Sequence, residues 1–130
     1  LKPVMTLKSK ITHIKTVEED LPISYGGNFV AKKGSKIATV AIGYADGLSR
    51  VLSGKINFLV KGHYAPVVGN ICMDACMIDV TDIDCKEGDT VEIFGPQLPV
   101  TTVAEWLETI PYEVLTGIST RVRRIYMVEN

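Results

Sequence analysis

The sequence predicts a mainly β fold: a barrel or sandwich of about seven short strands with two short helices. Three observations carry this expectation. Short runs rich in β-branched residues alternate with turns of Gly, Pro, Asp and Asn along most of the chain. Only two stretches, 102–108 and the segment after Pro111, read as helix. The 130 residues are 46% hydrophobic and 22% charged, which is enough apolar surface for one domain's core and too much for a disordered chain.

Residues 5–14 read as the first strand, with Met5, Leu7 and Ile11 on one parity. Residues 37–42 (IATVAI) are apolar on both parities, which suits a strand covered on both faces, and Gly43 ends it. Two runs, 55–60 and 64–68, meet at Lys61-Gly62-His63 and predict a hairpin with Gly62 in the turn. Pro66 lacks a backbone donor, so the second run is expected at an edge or a bulge. Strands at 76–80 and 90–94 follow, separated by an acidic turn containing Glu87-Gly88-Asp89.

Thr102 and Glu105 form an S/T-x-x-E capping pattern and predict a helix over 102–108. Val103, Trp106, Leu107 and Ile110 fall at helical spacing behind it. A second helix starts near Pro111, where the missing N–H costs nothing, and Gly117 ends it. Residues 121–128 read as the last strand. The core is expected to use Val40, Ile42, Leu59, Val91 and Ile93.

Several function classes are disfavoured. A net charge of −1 is not the basic balance of a nucleic-acid surface. No run of 18 apolar residues offers a membrane span, and Lys2, Lys8 and Lys10 interrupt any signal-peptide core. Cys72, Cys76 and Cys85 are an odd count with no C-x2-C pair, and His13 and His63 stand apart. Neither a disulfide framework nor a zinc site is expected; reduced thiols in a cytoplasmic protein fit better. The chain starts at Leu1 rather than Met, from which excision from a longer chain is expected.

Three segments combine Gly, aromatic and polar residues beyond what a core needs, and Tyr112 adds a fourth candidate. Ser24-Tyr25-Gly26-Gly27 puts a phenol on a sharply turned backbone, although a loop tyrosine packing on the domain accounts for it locally. In Ile42-Gly43-Tyr44-Ala45-Asp46-Gly47, Tyr44 and Asp46 project where a buried strand delivers a loop; an Asx-type turn made by Asp46 is the plainer account. Gly69-Asn70-Ile71-Cys72-Met73-Asp74 holds an acid in apolar sequence, or is a bulged strand with Met73 filling the core. Tyr112 opens a helix, where anions are readily held, or simply packs beside Trp106. No Ser-His-Asp arrangement, dinucleotide fingerprint or P-loop is present.

Together the segments resemble the C-terminal β-domain of alanine racemases, pyridoxal-phosphate-dependent isomerases. Five blocks carry the resemblance in order: LKPVMTLKSKI at 1–11, ISYGG at 23–27, VAIGYADGL at 40–48, VGNICMDACMIDVT at 68–81 and YEVLTGISTRVRRIY at 112–126. It covers residues 1–130 as one β-barrel-like domain. What it implies is a two-domain enzyme whose N-terminal α/β barrel, about 250 residues in such folds, carries the cofactor lysine and lies outside this chain. It further implies a head-to-tail homodimer in which this domain completes the active site in the partner's barrel. The product would be D-alanine for cell-wall peptidoglycan, and the isolated domain would be inactive.

By the same resemblance, Tyr25 matches the catalytic tyrosine that exchanges the α-proton opposite the lysine. Met73 matches the position whose backbone N–H holds the substrate carboxylate. Tyr112 matches the tyrosine that reaches the cofactor phosphate and narrows the site. Tyr44 and Asp74 match residues of the access corridor, while Asn70 stands where many members have Arg, so a charge-paired gate at Asp74 is not expected. Two other functions stay open at this point: a serine or broad-specificity racemase domain, and a non-catalytic stand-alone β binding module.

Overall fold

Six strands close on themselves into a barrel. The computed structural model describes residues 6–23, 29–46, 56–69 and 71–106. In chain order the strands are β1 (Leu7–Thr16), β2 (Leu21–Ile23), β3 (Phe29–Ala31), β4 (Lys36–Val40), β5 (Asn57–Val60), β6 (His63–Val68), β7 (Cys76–Asp79) and β8 (Thr90–Phe94). A 3-10 turn covers Tyr44–Asp46 and a helix, α1, covers Val100–Trp106. The barrel order is β1-β4-β7-β6-β5-β8, with β8 returning to β1 and every pairing antiparallel. β2 and β3 form a separate two-stranded sheet.

β1 spans two partners, β8 along its first half and β4 along its second. Its pairing shifts between Ile11 and His13, and the apolar phase shifts with it. Leu7 and Ile11 are buried, and the next residue packed against the core is Ile14 rather than an odd-numbered one. An inserted residue changes which parity faces inward.

β4 carries apolar residues on both faces for a concrete reason. Ala38 and Val40 belong to the main core with Ile42, Phe58, Val60, Ile78, Val91 and Ile93. Ile37 instead joins Val17, Ala31 and Val68 in a second small core, flanked by Leu21 and Met77. That second core draws on the β2–β3 sheet and on outward positions of β4, β6 and β7. The expected core residues Val40, Ile42, Leu59, Val91 and Ile93 are all buried.

The base of the β2–β3 sheet is fixed by polar contacts. Gly34, at φ +91°, donates its N–H to Val17 O, and Val17 N–H donates to Ser35 O, both at 2.8 Å. The Asp20 carboxylate accepts the Lys33 N–H at 2.9 Å and faces Lys32 Nζ at 3.5 Å. The Lys33 bond holds the Asp20 carboxyl below the usual carboxylate range, helped by Lys32.

Two local expectations are corrected. The hairpin at Lys61-Gly62 exists, with Val60 opposite His63 and φ of 51° and 79° at its two central residues, the signature of a two-residue type I′ turn. β6, however, lies inside the barrel, not at an edge. Val67 N–H donates to Ile56 O on the β5 side, so the nitrogen of Pro66 faces the β7 side, and pairing with β7 begins only at Val67. The proline thus removes a donor that the ladder does not use.

The helix begins at Val100, so Thr102 lies within it rather than capping it. Thr102 and Val103 N–H both donate to Pro99 O, at 3.0 and 3.3 Å. Its approach is held by Glu92, whose Oε2 accepts the N–H groups of Gln97 and Leu98 at 3.1 and 2.7 Å. The short strands β2 and β3 have no counterpart in the sequence reading. The expected helix after Pro111 and the strand over 121–128 lie outside the described residues.

Candidate functional site

β4 and β7 are neighbours in the barrel, with Val40 opposite Cys76. They run antiparallel, so the segment leaving β4 and the segment entering β7 emerge at the same end. Those segments are 41–46 and 71–75, the hearts of two blocks that the sequence singled out separately. Each starts from a buried anchor, Ile42 at 3% exposure and Ile71 at 1%.

The two segments are joined through the main chain. The first N–H groups of a helical turn have no partner within the turn. Here Tyr44 N–H donates to Cys72 O and Ala45 N–H to Met73 O, both at 3.0 Å. The turn closes on itself as well. Asp46 N–H donates to Gly43 O at 3.0 Å, and the Asp46 carboxylate accepts the Gly43 N–H at 3.0 Å. The carboxylate reaches back three residues, as the last member of a capping box does; the residues that a forward Asx turn would use lie outside the described residues. On the other segment, Cys72 N–H donates to Ala75 O at 2.9 Å.

Gly43 makes this joint possible. It is buried, and a Cβ there would stand 2.2 Å from Cys72 O, 2.5 Å from Met73 O and 2.6 Å from Met73 C. Only a residue without a side chain lets the backbones approach so closely.

Cys72 C=O and Met73 N–H belong to one peptide unit, in which they point in opposite directions when the bond is trans. No described peptide is cis. Tyr44 therefore holds the carbonyl inward, and the Met73 N–H points away from the joint. No described residue accepts a hydrogen bond from it. Tyr44 and Met73, on the two joined segments, are 42% and 50% exposed.

Met73 thus does not fill the core, and Asp74 is exposed rather than enclosed. The segments 41–46 and 71–76 contain Asp46 and Asp74 and no Lys or Arg. Cys72 is exposed, Cys76 is buried and Cys85 is partly buried, all as free thiols. Burial, and then the nearby Cys72, pushes the Cys76 thiol up to about 12.

Of the expected site residues, Tyr44, Met73 and Asp74 are brought together at one end of the barrel. Tyr25, Tyr112 and Asn70 lie outside the described residues. The sequence reading did not single out Gly43 and Asp46 as the pair that joins the segments. Their signal was a Gly at a strand end with an Asp three residues on.

The family model for the alanine racemase C-terminal domain matches residues 4–126. The chain is 52% identical over 132 residues to alanine racemase 2 of Caldanaerobacter subterraneus subsp. tengcongensis, covering 98% of this chain and 34% of that protein. Among solved structures, an alanine racemase of Clostridium difficile 630 in complex with cycloserine aligns with a TM-score of 0.90 at 49% identity, over 98% of this chain and 34% of that one. The alanine racemase of Bartonella henselae with covalently bound pyridoxal phosphate aligns with a TM-score of 0.89 at 38% identity, over 94% and 34%. The chain spans about a third of the length of these relatives.

Proposed function

The chain belongs to the alanine racemase C-terminal domain family, and from that membership we propose that it completes the substrate site of a pyridoxal-phosphate-dependent alanine racemase. The observation that carries the reading is the outward Met73 N–H on a segment held by main-chain bonds to the 43–46 turn. A main-chain donor that is fixed before the ligand arrives suits a carboxylate, which accepts short charge-assisted hydrogen bonds.

The described residues fit the substrate end of such a site. Neither of the joined segments carries a cation, so they do not provide the positive charge that suits a phosphate. That end falls to Tyr112 and to an N-terminal barrel. Pyridoxal phosphate, when bound, supplies the electron sink that makes the substrate's α-proton removable.

Racemisation needs a proton acceptor on one face of the α-carbon and a donor on the other. Tyr25 Oη takes one of these roles, opposite the barrel's lysine. A phenol with a reference pKa near 10 is ionised in about one molecule per thousand at pH 7. Tyr25 therefore depends on cationic or hydrogen-bonding neighbours that favour the phenolate, and a partner subunit's barrel supplies them. Met73 N–H orients the carboxylate, while Tyr44 and Asp74 line the way in. The domain acts as part of a cytoplasmic homodimer that makes D-alanine for the cell wall.

The test is to join this chain to the N-terminal part of the Caldanaerobacter relative, add pyridoxal phosphate and follow L-alanine becoming D-alanine. Turnover of alanine well above serine supports the reading. A folded, cofactor-loaded enzyme that racemises neither would refute it, and a preference for serine would replace the substrate.

A further inference from the structure

We propose that Gly43 and Asp46 are positioning residues for the substrate carboxylate, acting on it only through the main chain of Met73. The inference rests on the reading of the Met73 N–H given above. Neither residue is placed to touch substrate in this scheme, and neither belongs to the proton-transfer chemistry.

The aim of the Met73 N–H is set by the peptide plane it shares with Cys72 C=O. A peptide plane pivots about its flanking bonds unless its ends are held. Tyr44 N–H holds the Cys72 carbonyl, and Ala45 N–H holds the Met73 carbonyl on the next peptide, so two consecutive planes are pinned. Both donors sit on one 3-10 turn only three residues long, too short to be stable by itself.

What keeps that turn in shape is the exchange between Gly43 and Asp46. Gly43 is a buried residue, and its N–H has the Asp46 carboxylate as acceptor at 3.0 Å in a partly buried bond. If the carboxylate is removed, a partly buried donor is left unsatisfied, and the turn must open to reach another acceptor or water. Opening rotates Tyr44 and Ala45 N–H away from the carbonyls that they hold. The Met73 N–H then loses its fixed direction, although Met73 itself is unchanged. Asp46 is thus linked to the carboxylate through Gly43, Tyr44 and the 72–73 peptide.

The experiment uses the full-length holoenzyme carrying this chain. Asp46→Ala removes the acceptor, and Asp46→Asn keeps an oxygen that can take the Gly43 N–H. Two inhibitors separate the ends of alanine: propionate has the carboxylate without the amine, and ethylamine has the amine without the carboxylate. Asp46→Ala is expected to raise KM for both alanine enantiomers and to weaken propionate inhibition by about tenfold, the scale of one misdirected hydrogen bond to a charged group. Ethylamine inhibition stays within about twofold, and Asp46→Asn recovers most of the loss in KM. Should Asp46→Ala not yield folded enzyme, Asp46→Ser, with a shorter acceptor, is expected to show the same ordering to a smaller degree.

Equal weakening of propionate and ethylamine would mean general damage and overturns the proposal. So does an Asp46→Asn variant as poor as Asp46→Ala. Met73→Pro, which deletes the N–H, separates the proposal from the reading beneath it. If Met73→Pro weakens propionate while Asp46→Ala does not, the proposal fails and the reading stands. If Met73→Pro leaves propionate inhibition intact, both fail.

Discussion

Gly43→Ala tests the joint between the 41–46 and 71–75 segments directly, because the added methyl group has nowhere to go. Its carbon would lie 2.2 Å from Cys72 O, and the other near atoms, Met73 O and Met73 C, are also main chain. None of these can rotate aside as a side-chain end would. The segments must separate by about 1.2 Å, the gap between 2.2 Å and the ordinary contact distance of 3.4 Å. Hydrogen bonds that start at 3.0 Å, from Tyr44 N to Cys72 O and from Ala45 N to Met73 O, then stretch to about 4 Å and are lost. Two bonds at ~1 kcal/mol each, with an overpacking cost of 1–3 kcal/mol, give a destabilisation of about 3–5 kcal/mol.

Gly62→Ala is the matched control. Gly62 has φ of +79° with nothing within 4 Å of its Cβ position, so that substitution meets backbone strain alone and should cost about 1–2 kcal/mol. Gly43 has the opposite character, since its φ is outside the left-handed region and its crowding is severe. Urea unfolding followed by far-UV circular dichroism distinguishes the two. The midpoint is expected to fall by about 2 M for Gly43→Ala and by less than half of that for Gly62→Ala, at an unchanged m-value. A Gly43→Ala variant as stable as Gly62→Ala would refute the steric argument and with it the rigidity of the joint.

The chain alone, under reducing conditions, should melt in one cooperative transition and show no alanine turnover with added pyridoxal phosphate; a broad melt, or turnover above the cofactor-only background, counts against this. In the full-length enzyme, Tyr25→Phe should cost at least about a hundredfold in racemisation. Exchange of the α-proton with deuterated water, started separately from L- and D-alanine, should show that one face is lost and the lysine's face is kept. Cys76 should make the fold alkali-sensitive. Its folded-state pKa of about 12 exceeds the ordinary 9.0, so its contribution is complete below about pH 9 and is lost as pH rises towards 12. The slope approaches ~1.4 kcal/mol per pH unit, and Cys76→Ala should flatten denaturation midpoints measured between pH 8.5 and 10.5, a range of about two units over which an unchanged slope would be disproof.

The barrel strands were legible because each one carries its own burial pattern. IATVAI is apolar on both parities, and the structure accounts for both: Ala38 and Val40 face one core, Ile37 the other. β2 and β3 were not legible, since three residues are too few to show a period and their support comes from residues outside the two strands, Val17, Ile37 and the distant Val68. The helix start was misplaced because Pro99 O and the Glu92 carboxylate, neither part of an S/T-x-x-E pattern, hold its first turn and approach. Pro66 misled for a similar reason. The rule that excludes proline from interior strands assumes a ladder on both sides, and β7 starts pairing one residue too late to need that donor.

The candidate site divides along the same line. A search for reactive groups finds tyrosines and an aspartate, and it ranks Met73 and Gly43 as packing or turn residues. The joint inverts that ranking at its centre. In the proposed role of Met73 the useful group is an N–H that almost any residue would offer, so side-chain identity would carry little of it. At Gly43 the useful feature is the absence of a side chain, so identity carries all of it. Between them, Tyr44 and Ala45 contribute main-chain donors to the joint. Such a device is invisible to composition and spacing because the two segments are about thirty residues apart. It becomes visible only once the antiparallel β4–β7 pairing places Val40 opposite Cys76 and brings both loops to one end. Rigidity of this kind lowers the ordering cost of binding, because the donor direction is fixed before any ligand arrives.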